Sequence, residues 1–138
     1  MIKKSKLKIK SKALSLKLPN FGIKIKGQVW GEDASKLPIL ALHGWLDNSN
    51  SFELLASSLV GEKIIALDLP GHGLSAPIAR GHPYQIMLTA LQCLEALHTL
   101  EIKKVKLLGH SLGGCLALLM ASLENQKIHS VISLDSMG

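Results

Sequence analysis

Val105-Lys106-Leu107-Leu108-Gly109-His110-Ser111-Leu112-Gly113-Gly114-Cys115-Leu116 is the stretch on which the reading of this chain turns. A short apolar run, Val105 to Leu108, leads into Gly109-His110-Ser111-Leu112-Gly113, and a nearly continuous apolar stretch follows to Leu123. The first run reads as a strand buried on both faces, and Leu112 to Leu123 as a helix packed deep against a sheet. Between them lies G-x-S-x-G. A serine on so tight a strand-to-helix turn must accept strained backbone angles, so its neighbours must be small. Gly109 and Gly113 let strand and helix approach without side-chain clash, and Gly114 extends that freedom. The turn lifts the hydroxyl to the C-terminal edge of the sheet, where open α/β sheets bind ligands. The helix start behind it offers free N–H groups and partial positive charge to an oxyanion. Ser111 is therefore the candidate nucleophile. An incidental serine on a glycine-rich turn is the competing reading, and the strand before it and the helix after it weigh against that.

Outward from this stretch the pattern repeats. Pro38 to Leu42, Ile64 to Leu67 and Val131 to Leu134 are further short apolar runs that suit buried parallel strands. Ser51 to Leu59 carries Phe52, Leu55, Ala56 and Leu59 at the spacing of one helix face, with Asn50 and Glu53 resembling a capping box. Tyr84 to Leu100, opened by Pro83, reads as a longer helix. Leu14, Leu16 and Leu18 alternate with Ser15 and Lys17, and Ile23 to Trp30 alternates again beyond the Pro19-Asn20 turn, which predicts an antiparallel hairpin. Strand alternating with helix means an α/β fold: a mostly parallel sheet of about six strands with an antiparallel start, flanked by helices.

Two other strand ends carry motifs. His43-Gly44-Trp45 closes the Pro38–Leu42 run, and the Trp45 backbone N–H is the expected oxyanion donor, paired with that of Leu112. The Trp45 side chain is expected to line the pocket floor. His43 reads as a structural histidine bonded within its own loop. Asp68-Leu69-Pro70-Gly71-His72-Gly73-Leu74-Ser75 closes the Ile64–Leu67 run. Gly71, Gly73 and Pro70 make a tight turn in which Asp68 and His72 are expected to bond backbone groups.

Composition narrows the function. The 138 residues are one domain's worth, 47% hydrophobic but only 4% aromatic, so the core must be mainly aliphatic. Six lysines between Lys3 and Lys12 account for the net charge of +6, since the remaining ten Lys and Arg balance ten Asp and Glu. Residues 1–12 thus read as a basic, solvated tail and residues 13–138 as the core. No uninterrupted apolar h-region follows the basic start, and no run approaches the roughly 20 apolar residues of a membrane span. A cytoplasmic protein is expected, without nucleic-acid or membrane partner. Cys93 and Cys115 fall in expected buried helices and read as small hydrophobes, so neither a disulfide nor a metal is expected. No cofactor is expected either: neither G-x-G-x-x-G after the first buried strand nor G-x-x-x-x-G-K-[ST] occurs, which argues against a nucleotide-binding domain.

HGW from residue 43, DLPGHGLS from residue 68 and GHSLGG from residue 109 together resemble the α/β-hydrolase superfamily. His43-Gly44-Trp45-Leu46-Asp47-Asn48 with Ser51-Phe52 is similar, more narrowly, to the serine hydrolase-like proteins and their bacterial relatives. The resemblance covers the chain from about Lys12 onward. It implies a nucleophile at Ser111, oxyanion donors at Trp45 and Leu112, and a small-molecule substrate with a carboxylic ester or thioester bond. The order it implies is serine, then acid, then histidine. Asp135, at the end of the Val131–Leu134 strand, is the acid candidate, with a loop-capping aspartate as the alternative. His129, just before that strand, lies at the opposite sheet edge from Ser111 and cannot be the base. The catalytic histidine, the cap and the C-terminal strands are thus expected to be absent from residues 13–138. An inactive fragment or non-catalytic interaction module is the alternative function. An open edge at Val131–Leu134 favours self-association.

Overall fold

The alternation of buried runs and helical stretches produces a sheet with helices on both faces. The structure, a computed structural model, describes residues 9–32 and 35–136. Most of the lysine-rich tail, residues 1–8, lies outside the described residues, as does Gly138. The strands are β1 (Lys12–Leu18), β2 (Ile23–Trp30), β3 (Ile39–Leu42), β4 (Ile64–Leu67), β5 (Val105–His110) and β6 (Ile128–Leu134). The helices are α1 (Glu53–Ser58), α2 (Ile86–Thr99) and α3 (Leu112–Leu123). The sheet order is β1-β2-β4-β3-β5-β6. β1 and β2 form the antiparallel hairpin, β2 pairs antiparallel with β4, and β4, β3, β5 and β6 run parallel.

The period of two decides which face each strand side chain enters. Leu40 and Leu42 of β3, Val105 and Leu107 of β5 and Ile65 and Leu67 of β4 join one cluster with Cys93 and Leu97 of α2 and Leu116 and Met120 of α3. Ala41, Ile64, Ala66 and Leu108 enter the opposite cluster with Trp30, Phe52 and Ala56. Burial on both faces is why the inner runs are continuous rather than alternating.

Several boundaries differ from expectation. The Ser51–Leu59 segment starts as a 3-10 turn, Ser49–Phe52, before α1. Its cap is Asn48, whose side chain accepts from the Asn50 N–H at 3.0 Å, so the Asn50–Glu53 capping box does not form. α2 begins at Ile86, with Gln85 as its extended N-cap, leaving Tyr84 and Pro83 in the preceding loop. β6 begins at Ile128, which puts His129 inside the strand, at a register shift opposite Val105 and Lys106. Cys93 is buried, and burial pushes its thiol pKa up to about 12; Cys115 is half-buried, and the two do not form a disulfide.

Candidate active site

The parallel order brings the ends of β3, β4 and β5 to one sheet edge, and the three glycine-rich motifs with them. Ser111 joins β5 to α3 with φ 51° and ψ −116°, a backbone conformation that L side chains rarely adopt. Its N–H donates to the Leu134 carbonyl of β6 at 2.9 Å, extending the β5–β6 ladder by one residue. Its carbonyl accepts from the Gly114 and Cys115 N–H groups at 2.9 and 3.2 Å, which closes the first turn of α3. The side chain makes no capping bond and is half-buried. Leu112 is the first residue of α3, so its N–H has no acceptor within the helix.

Glycines set how closely these parts approach. A Cβ on Gly109 would stand 2.1 Å from the Gly113 carbonyl oxygen, and one on Gly113 would stand 2.0 Å from the Leu42 carbonyl oxygen. Strand, turn and helix therefore meet backbone to backbone. A Cβ on Gly44 would lie 3.4 Å from Ser111 Cβ and 3.2 Å from His110 Nδ1, so the loop after β3 rests directly against the serine turn.

His43 fixes that loop. It is fully buried. Its Nε2 accepts the Leu69 N–H at 3.0 Å, and its Nδ1 lies 2.7 Å from the Gly44 carbonyl oxygen. A backbone N–H can only donate and a carbonyl can only accept, so Nδ1 carries the proton and the ring is neutral. Burial holds its pKa below the ordinary value, with the neighbouring His72 ring acting in the same sense and the Gly44 carbonyl against it. Both nitrogens are committed, as expected of a structural histidine, but the bond reaches beyond its own loop: His43 ties the β3 loop to the β4 loop.

Asp68 does the same for the β4 loop. Its carboxylate accepts from Ser49 N–H at 2.8 Å through one oxygen and from Leu74 N–H at 2.9 Å through the other. Burial pushes its pKa up, and the Leu74 and Ser49 donors outweigh that, leaving it below the usual carboxylate value. His72 Nδ1 meets the Pro70 carbonyl at 3.0 Å. Gly71 and Gly73 hold left-handed φ values of 77° and 51°. Asp47 also has a lowered pKa: burial raises it, but the Ser51 hydroxyl and Asn48 N–H donate to it at 2.6 and 2.8 Å.

The Trp45 side chain is half-exposed and meets His72 and Tyr84 edge-on, with ring centroids 5.1 and 4.9 Å away. This aromatic cluster was not legible beforehand: Tyr84 precedes α2 by two residues, and no spacing rule connects it to Trp45.

Asp135 follows β6 at the same edge as Ser111, with φ 50° and an exposed side chain. His129 lies at the far end of β6, about 16 Å of strand away from Leu134. No imidazole among the described residues hydrogen-bonds the Ser111 hydroxyl, and no group of three or more His, Cys, Asp or Glu among them could hold a metal ion. No helix among the described residues is long and apolar enough to cross a membrane.

A family model described as the alpha/beta hydrolase fold matches residues 38–138. The chain is 36% identical over 115 residues to a serine hydrolase-like protein of Danio rerio, covering 83% of this chain and 35% of that one. It is 36% identical over 124 residues to a serine hydrolase-like protein of Mus musculus, covering 89% of this chain and 39% of that one. The crystal structure of the hypothetical protein PA1622 from Pseudomonas aeruginosa superposes with a TM-score of 0.83 at 35% identity, over 94% of this chain and 44% of that one. The chain thus spans somewhat over a third of the length of these two curated relatives.

Proposed function

The chain belongs to the α/β-hydrolase fold family, and from that premise we propose that it supplies the nucleophile and the oxyanion site of a serine hydrolase for carboxylic ester or thioester bonds. The observation that carries this reading is Ser111 itself: a left-handed serine at the strand-to-helix junction, its hydroxyl without a hydrogen bond to the described residues, with the Gly44 loop packed against it. Strain of this kind costs about 1–3 kcal/mol and persists where the site has a use for it.

In this reading Ser111 Oγ attacks the acyl carbon, and the bond to the carbonyl oxygen becomes a single bond carrying negative charge. The Leu112 N–H, without an acceptor in its own helix, stabilises that oxyanion together with the Trp45 N–H. A serine hydroxyl is a weak nucleophile until a base takes its proton. His43 cannot serve, because both of its nitrogens are committed. No other imidazole among the described residues hydrogen-bonds the Ser111 hydroxyl, so the reading takes the base from outside residues 9–136 and assigns Asp135, on the Ser111 side of β6, as the acid that would orient it.

The test is covalent. Without its histidine a serine enzyme loses about 10⁶ in kcat, so from a typical ~10 s⁻¹ the chain alone would turn over at about 10⁻⁵ s⁻¹. Residues 1–138 should label slowly with a fluorophosphonate. A hybrid in which the C-terminal part of the Pseudomonas relative continues the chain should label within minutes, and Ser111→Ala should abolish that labelling. Rapid labelling of the hybrid that survives Ser111→Ala would sink the assignment.

A further inference from the structure

A shallow cavity of about 360 Å³ opens beside the His43-Gly44-Trp45 loop, with Trp45, His72, Ile78, His82 and Tyr84 among its walls. His72 is only 6% exposed. Its Nδ1 faces the Pro70 carbonyl oxygen, which can only accept, so Nδ1 carries a proton, and in the uncharged form of the ring Nε2 presents a lone pair. That Nε2 is buried and meets no hydrogen-bond partner among the described residues. An unmet buried acceptor is costly, and nothing in the fold of the loop requires it. His72 also meets Trp45 and Tyr84 edge-on at 5.1 and 5.6 Å, so the unmet acceptor sits in a corner built of three rings.

We propose that this cavity is a subsite for a hydroxylated aromatic group of the substrate, whose hydroxyl donates to His72 Nε2 while its ring packs against Trp45 and Tyr84. Pro77, Ile78 and Ala79 give the cavity an apolar wall, which suits an aromatic ring. Three edge-on rings at about 5 Å accept a fourth ring by the same geometry. The inference deepens the hydrolase reading and rests on it in one respect. If the Trp45 N–H holds the carbonyl oxygen, the Trp45 side chain places the cavity a few bonds from the acyl carbon. Nε2 is closed to water, so a ligand reaches it only as the half-exposed indole of Trp45 moves aside.

That movement supplies a readout independent of turnover. The 138-residue chain is titrated with methyl 4-hydroxybenzoate and with methyl 4-methoxybenzoate, a slightly larger analogue with no hydroxyl donor, while tryptophan fluorescence is followed. The other tryptophan, Trp30, is buried in the core, and Trp45→Phe should remove the change. The hydroxy compound should bind about tenfold tighter, the worth of one hydrogen bond to a buried acceptor. His72→Phe, which keeps a ring and loses the lone pair, should bring the two affinities together. Should that variant not fold, the ¹⁵N resonance of His72 Nε2 in the unaltered chain must shift with the hydroxy compound and not with the methoxy one. Equal affinities, a preference that survives His72→Phe, or an unmoved Nε2 resonance would each overturn the proposal. Because binding is read without chemistry, a failed Ser111 assignment leaves the subsite standing, and a failed subsite leaves Ser111 untouched.

Discussion

The turn after β4 and the turn after β5 lie at one sheet edge, a single strand apart, and both are rich in glycine. They are held in opposite ways. Residues 68–75 are fastened by side chains: the Asp68 carboxylate takes two backbone N–H groups, and Ser75 Oγ donates to the Asp68 carbonyl and accepts from Lys26 N–H at 2.8 Å. Residues 109–114 are fastened by backbone contact, Gly109 on Gly113 and Gly113 on Leu42, while the Ser111 side chain makes no hydrogen bond to the described residues. A turn built from polar side chains has spent them on its own shape. A turn built from bare backbone keeps its hydroxyl for something else, and this contrast separates Asp68 from Ser111 as functional candidates.

The largest effect should come from forcing a side chain into the backbone-built turn. A Cβ on Gly113 would stand 2.0 Å from the Leu42 oxygen and 2.8 Å from the His43 oxygen, both main-chain atoms that cannot step aside. Gly113→Ala should therefore cost about 3 kcal/mol or more, as overpacking against rigid backbone does. Gly114→Ala is the control. Its Cβ would meet Ser133 Oγ, which can rotate away, and Ser136 Cβ at 2.7 Å, which moves only with the backbone just past β6, so it should cost less than a clash with the β3 carbonyls. Urea unfolding of both variants checks this, and equal losses would break the reading that contact with the β3 backbone sets the shape of residues 109–114.

How much of this was legible in the sequence follows the same division. Motifs that act through backbone announce themselves, because only glycine fits: G-x-S-x-G at 109–113 led to the turn, the strand before it and the bounds of α3, Leu112–Leu123. The runs at β2 and β4 were equally plain, since burial on one or two faces writes period two or continuity into the residues. Contacts across loops were not legible. The spacing of His43 and Leu69 says nothing of a bond between them, and the aromatic corner of Trp45, His72 and Tyr84 depends on where three separate segments land. Asn50 was misread for a local reason. Asn48 and Asn50 both suit a helix cap, and the 3-10 turn starting at Ser49 selects the earlier one.

Next in size is the side-chain-built turn. Asp68→Asn keeps one acceptor but turns an amide NH₂ towards a backbone N–H, and should cost about 2 kcal/mol at neutral pH. Its mark is also a change in acid. The Asp68 pKa is lower folded than unfolded, so its contribution is present above the ordinary value of 3.8 and is lost as pH falls through the folded value. His43 has its pKa depressed from 6.5, so below pH 6.5 the unfolded chain binds a proton that the folded chain does not, and stability falls there too. The stability profile should therefore decline in two stages, the first beginning near pH 6.5 and the second below about pH 4. Asp68→Asn should shrink the second, leaving the part that Asp47 contributes, and leave the first. A profile in which both stages vanish together would mean that the β3 and β4 loops do not hold independently.

The smallest effect has the opposite sign and bears most directly on Ser111. At φ 51° and ψ −116° the serine occupies a region that costs a residue with a Cβ about 1–3 kcal/mol, and a glycine little. Ser111→Gly relieves that strain but adds backbone entropy to the unfolded chain, which offsets part of the gain. The net should be a stabilisation of about 1 kcal/mol. Ser111→Ala keeps the Cβ, and so the strain, while removing a hydroxyl that bonds nothing at the helix cap; its stability should match the parent chain. The pair isolates backbone strain from hydroxyl chemistry, because both variants lack the hydroxyl and only one relaxes the turn. A turn shaped for folding alone would gain nothing from glycine at its bend. Equal stability of Ser111→Gly and Ser111→Ala in urea would therefore remove the strain on which the assignment of Ser111 rests.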